Sequence, residues 1–153
     1  MTTLSYEIDL NAPVDQVFNY CTDPEKVKES WSPEIVKGST IISGTKGEKG
    51  SIYKIEGHYG GKDEEMRMMV VEKWPNSKYV TRQEEGPFKK WESVQEFEGR
   101  ENNRTRLKYT INYELPTTGK VFRMVSNRDA DGKLRQGVEE YIQNLKHRFE
   151  TTQ

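Results

Sequence analysis

The side chains best suited to bind a metal, attack a substrate or pass a proton near neutral pH are sparse here: two histidines and one cysteine in 153 residues. Zinc sites draw on Cys and His residues grouped a few positions apart. Cys21, His58 and His147 lie far apart in the sequence with no ligand spacing, so no metal centre and no cofactor are expected. Cys21 closes a run of Val14, Val17, Phe18 and Cys21 at spacings of three, one and three. That is a helical stripe, which makes the thiol a core residue rather than a reactive one. His58 alternates with Lys54 and Glu56 and belongs to a solvent face, while His147 falls on the polar side of a C-terminal helix. Gly44, Gly47 and Gly50 recur every third residue, but the Gly-Lys-Ser/Thr ending of a phosphate loop is missing. The segment joins two strands, so a turn is expected. Glu64-Glu65 and Glu84-Glu85 are neighbours within strands and point to opposite faces, so neither pair is expected to act together as general acid and base.

The elements that must position these groups are mostly strands. Valine and isoleucine together number 19 against six leucines and two alanines, a bias toward sheet. Leu4, Tyr6, Ile8 and Leu10 alternate with Ser5, Glu7 and Asp9 in a first strand. Asn11-Ala12-Pro13 ends it, with Pro13 as the first residue of a helix and Asn11 or Ala12 as its cap. Thr22-Asp23-Pro24 closes that helix and starts a second short one from Glu25 to Ser30. Period-two patterning then runs through strands Ile35–Ile42, Ser51–Tyr59, Lys62–Trp74, Lys78–Glu85, Lys89–Glu98 and Arg104–Leu115, with Gly, Pro and Asn turns between them. Connections this short make antiparallel neighbours. From Leu134 the period becomes helical, with Val138, Tyr141, Ile142, Leu145 and Phe149 completing one stripe. For Thr117–Asp131 two readings stand: Val121, Phe122 and Val125 suggest helix, and Asn127 to Gly132 suggests a break.

Composition bounds what such a chain can do. Leu, Ile, Val and Phe supply only 30 of 153 residues, yet 16 residues are aromatic and the net charge is −1. Disorder would require a larger net charge. The length suits one domain, 1–153. The longest purely apolar run, Met68-Met69-Val70-Val71, is far short of the roughly 20 residues of a membrane span. The N-terminus has neither a basic start nor an apolar stretch, and a single cysteine suits a reducing compartment, so a cytoplasmic protein without integral membrane association is expected. Balanced charge with no basic block gives no footprint for nucleic acid.

A seven-stranded sheet with one apolar face must cover it, and the C-terminal helix is the only large amphipathic element to do so. A helix about 10 Å across is too narrow to fill a curved sheet of that size, so a space should remain beneath it. Strand alternation selects its walls. Tyr53, Ile55, Gly57 and Tyr59 share one face; Trp91, Ser93, Gln95 and Phe97 share another; Leu107, Tyr109, Ile111, Tyr113 and Leu115 a third. On the fourth strand both alternating sets contain apolar residues, with Met66, Met68 and Val70 opposite Arg67, Met69 and Val71. The expected cavity residues are Trp31, Tyr53, Ile55, Tyr59, Met68, Phe88, Trp91, Ser93, Gln95, Phe97, Tyr109, Tyr113 and Tyr141, with Trp31 and Phe88 near the mouth; the alternative is that they simply fill the core. No catalytic residue is assigned, since tyrosines titrating near 10 are weak acid–base groups.

Several phrases carry a resemblance over the whole chain: Ile8-Asp9-Leu10-Asn11-Ala12-Pro13-Val14-Asp15-Gln16-Val17-Phe18, Asp23-Pro24-Glu25 with Trp31-Ser32-Pro33, Gly86-Pro87-Phe88, Thr105-Arg106-Leu107 and Asn144-Leu145-Lys146. With the order of elements, the chain resembles the START-like (SRPBCC) superfamily of polyketide cyclase/dehydrase and lipid-transport proteins. The resemblance implies an α+β helix-grip fold: a seven-stranded curved antiparallel sheet around a long C-terminal helix, with two short helices after the first strand. It also implies an elongated, mostly apolar cavity for a lipid, sterol, polyketide or aromatic molecule. The expected function is binding or carriage of a small hydrophobic or aromatic molecule by a monomer or homodimer. The alternatives are a cofactor-free cyclase or dehydratase working through cavity Tyr, Ser or Gln, and a co-chaperone-like interaction domain. The absence of an inward His, Asp or Arg group favours the carrier.

Overall fold

The computed structural model describes residues 1–33, 35–59, 62–115 and 127–151, with side chains for all of these except 59, 62, 127–131 and 151. Strand β1 (Thr2–Leu10) leads into helix α1 (Val14–Cys21), helix α2 (Pro24–Val27) and a 3-10 turn (Lys28–Ser30). Strands β2 (Val36–Ser43), β3 (Ile52–Tyr59), β4 (Lys62–Trp74), β5 (Lys78–Glu85), β6 (Lys90–Arg100) and β7 (Arg104–Glu114) follow, and helix α3 (Asn127–Thr151) ends the chain.

The strands stand where alternation places them, with small corrections where side chains or glycines intervene. Pro13 is the extended residue before α1 rather than its first helical residue, so the cap position falls on Pro13 and not on Asn11 or Ala12. The carbonyl of Pro13 instead accepts from the amides of Gln16 and Val17, both at 3.1 Å. The second helix starts one residue earlier than expected and tightens to 3-10 geometry at Lys28. Asp23 fixes its start by accepting from the Glu25 and Lys26 amides at 3.0 and 3.3 Å. Ile35 sits in a turn, its amide donating to the Ser32 carbonyl at 2.9 Å, so β2 begins at Val36. Of Thr117–Asp131, residues 117–126 lie outside the described ones, and the backbone from Asn127 is helical through Gly132 without a break. Gly44, Gly47 and Gly50 form a turn, with φ of 79°, 78° and 87°. These values favour glycine, and at Gly47 a Cβ would also stand 3.1 Å from the Thr22 carbonyl oxygen.

All neighbouring strands pair antiparallel in the order β1-β7-β6-β5-β4-β3-β2. The first strand therefore lies at one edge and the second at the other, and α1 and α2 carry the chain between the two edges. The pairings β1–β7 and β6–β7 run without a register shift, from Thr2↔Tyr113 to Leu10↔Thr105 and from Lys90↔Glu114 to Arg100↔Arg104. The shifts cluster in the other half, two between β2 and β3 and two between β4 and β5. Bulges bend and twist the strand that carries them, and they curl this half of the sheet around the space under α3.

Helix α3 lays Leu134, Val138, Tyr141, Ile142, Leu145 and Phe149 against the sheet, all buried. One end of the interior is packed solid. There Phe18 of α1 meets Phe97 edge-on at 5.0 Å and Tyr79 at 6.5 Å, and Tyr20 meets Phe149 at 5.6 Å. Polar contacts pin the same end: Thr105 Oγ1 donates to the Ala12 carbonyl at 2.8 Å, Tyr20 Oη and Ser30 Oγ share a bond of 2.7 Å, and Asn144 Nδ2 donates to the Ser30 carbonyl at 3.0 Å. The other end is not filled.

Candidate functional site: an aromatic cavity under the long helix

Between α3 and the curled half of the sheet lies a cavity of about 150 Å³ that opens to solvent, large enough to admit a small aromatic molecule. Ten of the thirteen expected positions stand on its wall: Trp31, Tyr53, Ile55, Met68, Phe88, Trp91, Ser93, Gln95, Tyr109 and Tyr141. The side chain of Tyr59 lies outside the described residues. Phe97 and Tyr113 face inward but do not stand on this wall. Phe97 is sealed off by Phe18, and Tyr113, 1% exposed, sits behind Phe88 and Trp91 with ring centroids at 6.0 and 5.9 Å. Alternation selects a face; it does not say how far along the strand another element has already filled the volume.

Several wall residues are held by identifiable contacts. Trp31 stacks on Tyr141 with centroids 4.3 Å apart and planes 13° from parallel, and Tyr109 meets Tyr141 edge-on at 5.6 Å. Phe88, expected near the mouth, is buried against Trp91 at 4.7 Å. Its loop, Gly86-Pro87-Phe88, is clamped by Gln83, which donates from Nε2 to the Phe88 carbonyl at 2.8 Å and accepts the Phe88 amide at 3.3 Å. On β4 the ambiguous alternation resolves with Met66, Met68 and Val70 inward; Met68 and Val70 are almost fully buried.

A row of hydroxyls crosses the sheet side of the cavity. Thr81 and Ser93, paired in register on β5 and β6, share a buried hydrogen bond of 2.7 Å. The Tyr53 and Tyr109 side chains stand on the same wall, their hydroxyls influenced by Thr81 and Ser93 respectively. Burial pushes the Tyr53 hydroxyl up to about 12, with the influence of Thr81 opposing it. Burial likewise raises Tyr79, Tyr109 and Tyr141. Cys21, placed in the core as expected, also reaches the wall, and burial raises its thiol against an opposing bond to Tyr141. These groups are therefore held in their neutral, protonated forms at ordinary pH. Two wall acceptors stand apart from the row. Gln95 Oε1 and Ser39 Oγ belong to residues 5% and 8% exposed, and neither atom has a hydrogen-bond partner among the described residues.

Charged residues also line the cavity. His58 is 45% exposed in its side chain and bonds Asp63 through Nδ1 at 3.0 Å, beside Lys37. It faces solvent as expected, yet it is also part of the lining, with the half-buried Lys28 and Glu64. Glu64 shares its face with Met66 and Met68, and that shared alternation was the available signal for its place on the wall. Tyr79 and Thr81 were not singled out by alternation, since β5 buries Tyr79, Val80 and Thr81 in succession. Nor were Ser39, Ile35 and Val36, because the bulges of β2 shift its register twice. Among the described residues no group of three or more His, Cys, Asp or Glu could hold a metal ion.

A curved antiparallel sheet gripping one long helix over an aromatic cavity defines a helix-grip protein. Residues 1–150 match the profile of the polyketide cyclase / dehydrase and lipid transport family, and the chain belongs to that family. The same fold is seen in a Thermus thermophilus protein (19% identical, TM-score 0.75, 97% of each chain covered) and a START superfamily protein from Mycobacterium smegmatis (18%, 0.73, 99% of each). It is seen again in the Zhui aromatase/cyclase from a Streptomyces species (14%, 0.77, 97% of this chain and 93% of that one). No curated protein matches the sequence. No helix among the described residues is long and apolar enough to cross a membrane.

Proposed function

We propose that this protein binds and carries a small hydrophobic or aromatic molecule in the cavity under α3. The observation that carries the reading is an aromatic-walled space open beside a solidly packed core. Apolar surface left open in a folded interior forfeits contacts that the same residues could have made with each other, and a ligand restores them. Membership of a family that includes lipid transport supports the same reading. A cyclase or dehydratase would need a group that takes up a proton near neutral pH. The cavity tyrosines and Cys21 are instead held protonated by burial, and His58 on the same lining is tied to Asp63 with its side chain 45% exposed, which favours binding over turnover. Balanced charge gives no footprint for nucleic acid, and the carrier is proposed to act as a cytoplasmic monomer or homodimer.

Displacement of an environment-sensitive apolar fluorophore by a panel of lipids and aromatic compounds tests this. Competition is expected in the wild type and is expected to vanish in Ile55→Trp, which places an indole in the space from a half-buried wall position. Displacement that Ile55→Trp leaves untouched, or no displacement by any compound, overturns the reading.

A further inference from the structure

The two orphan acceptors of the wall carry information about the occupant that the apolar surface does not. Gln95 projects from β6 and Ser39 from β2, strands separated in the sheet by β5, β4 and β3, yet both line the same cavity. Both residues are more than nine-tenths buried, and Gln95 Oε1 and Ser39 Oγ lack partners among the described residues. The neighbouring Thr81 and Ser93 hydroxyls bond each other at 2.7 Å, whereas Gln95 Oε1 and Ser39 Oγ are the buried side-chain atoms left without a partner among the described residues. Buried polar atoms are almost always satisfied, and leaving one unpaired is more costly than never having placed it there.

We propose that Gln95 and Ser39 are the specificity-determining acceptors of the site, and that the ligand is an uncharged molecule carrying hydrogen-bond donors: an alcohol, a phenol or an N–H heterocycle. This rests on the binding reading above and narrows it. A pure hydrocarbon leaves both acceptors desolvated and unpaired. A carboxylate sets lone pairs against those of Gln95 Oε1, the Ser39 hydroxyl can donate to only one of its oxygens, and among the described residues Lys28 is the one lysine or arginine on the wall. A site built to hydrogen-bond a ligand group discriminates strongly against the analogue that lacks it, because the protein atoms are then left unpaired.

The test compares three probes of one ring system, 2-naphthol, 2-methoxynaphthalene and 2-naphthoate, by isothermal titration at neutral pH with wild type, Gln95→Met and Ser39→Ala. The wild type is expected to bind 2-naphthol about tenfold or more tightly than 2-methoxynaphthalene, as one satisfied buried acceptor implies. The naphthoate should be weaker still. In Gln95→Met, which keeps the length and loses the acceptor, the gap between naphthol and ether should shrink to about threefold or less, with Ser39→Ala giving a smaller loss. If the wild type binds all three equally, or prefers the carboxylate, the donor requirement is overturned while the binding reading stands. If none of the three nor any other apolar probe binds, both fall together. The wild-type comparison decides the donor requirement even if a variant does not fold.

Discussion

Gly57→Ala is the substitution that most sharply tests how the mouth of the cavity is assembled. Gly57 lies in β3, opposite Val36 of β2 and Glu64 of β4. A Cβ at this position would stand against the carbonyl oxygen of Ile35, closer than the 3.0 Å that Cβ atoms keep from other groups. That oxygen cannot step aside alone, because it is backbone and accepts the His58 amide at 2.9 Å. In an unobstructed strand, replacing glycine by alanine stabilises by about 0.5–1 kcal/mol through lost unfolded-state freedom. Overpacking against a fixed group costs about 1–3 kcal/mol. The clash therefore outweighs the gain, and Gly57→Ala should lower the melting temperature by several degrees, since about 1 kcal/mol corresponds to roughly 2–4 °C in a domain of this size. Two controls separate the clash from the glycine effect. At Gly137 of α3 the added Cβ meets only the side chain of Ile35, at Cδ1, an end that can turn away, so Gly137→Ala should be neutral or stabilising. At Gly132 nothing lies within 4 Å, and alanine should gain up to about 1 kcal/mol from helix propensity alone. Urea unfolding followed by tryptophan fluorescence ranks all three. A Gly57→Ala protein as stable as wild type or more so refutes the close approach of Ile35 to β3.

Three further outcomes follow from the packing and the buried hydroxyls. Thr105→Val removes a fully buried donor to the Ala12 carbonyl and should cost about 1–3 kcal/mol by leaving that acceptor unpaired; an unchanged urea midpoint would contradict this. Alkali should unfold the protein between about pH 10 and 12: Tyr53 keeps its proton to about 12 in the fold, whereas the unfolded chain releases it near 10. The native state therefore holds the extra proton in this window, so stability is intact below 10 and falls as pH rises. Tyrosinate absorbance for Tyr53, Tyr79, Tyr109 and Tyr141 should then appear only with loss of native circular dichroism, not as a reversible titration at about 10. Cys21, 3% exposed with its thiol held protonated by burial, should resist Ellman's reagent until denaturant is added; prompt stoichiometric labelling of native protein would contradict that.

Much of this structure was legible in the residues, for physical reasons that also explain the failures. Strands such as β1 and β7, each with one wet and one dry face, print their alternation directly, and Leu107, Tyr109 and Ile111 are buried while Lys108 is exposed. Strand β4 was ambiguous because Met69 and Val71 are apolar on the outer side, where they are only partly buried; pairing with β3, Met68 opposite Tyr53, decided it. The depth of a side chain was not legible. Phe97 and Gln95 share one face of one strand, yet α1 closes the interior at Phe97 and leaves it open at Gln95. Nor was the place of Ser39, because β-bulges break the period-two rule that alternation depends on. The most informative feature of the site, an acceptor without a partner, is a property of the assembled fold that no single segment encodes.

If the space beneath α3 receives a small apolar molecule, that molecule must touch residues from several strands and the helix at once. Backbone and methyl chemical-shift mapping during titration with 2-naphthol tests this most directly. Perturbations are expected to converge on Ile55, Met68, Ser93, Gln95, Tyr109 and Tyr141, which share the cavity wall, while Val80 and Val94, paired with each other but absent from that wall, stay fixed. Shifts confined to exposed Trp74 and Ile42, or no shifts at the solubility limit of the probe, would contradict it.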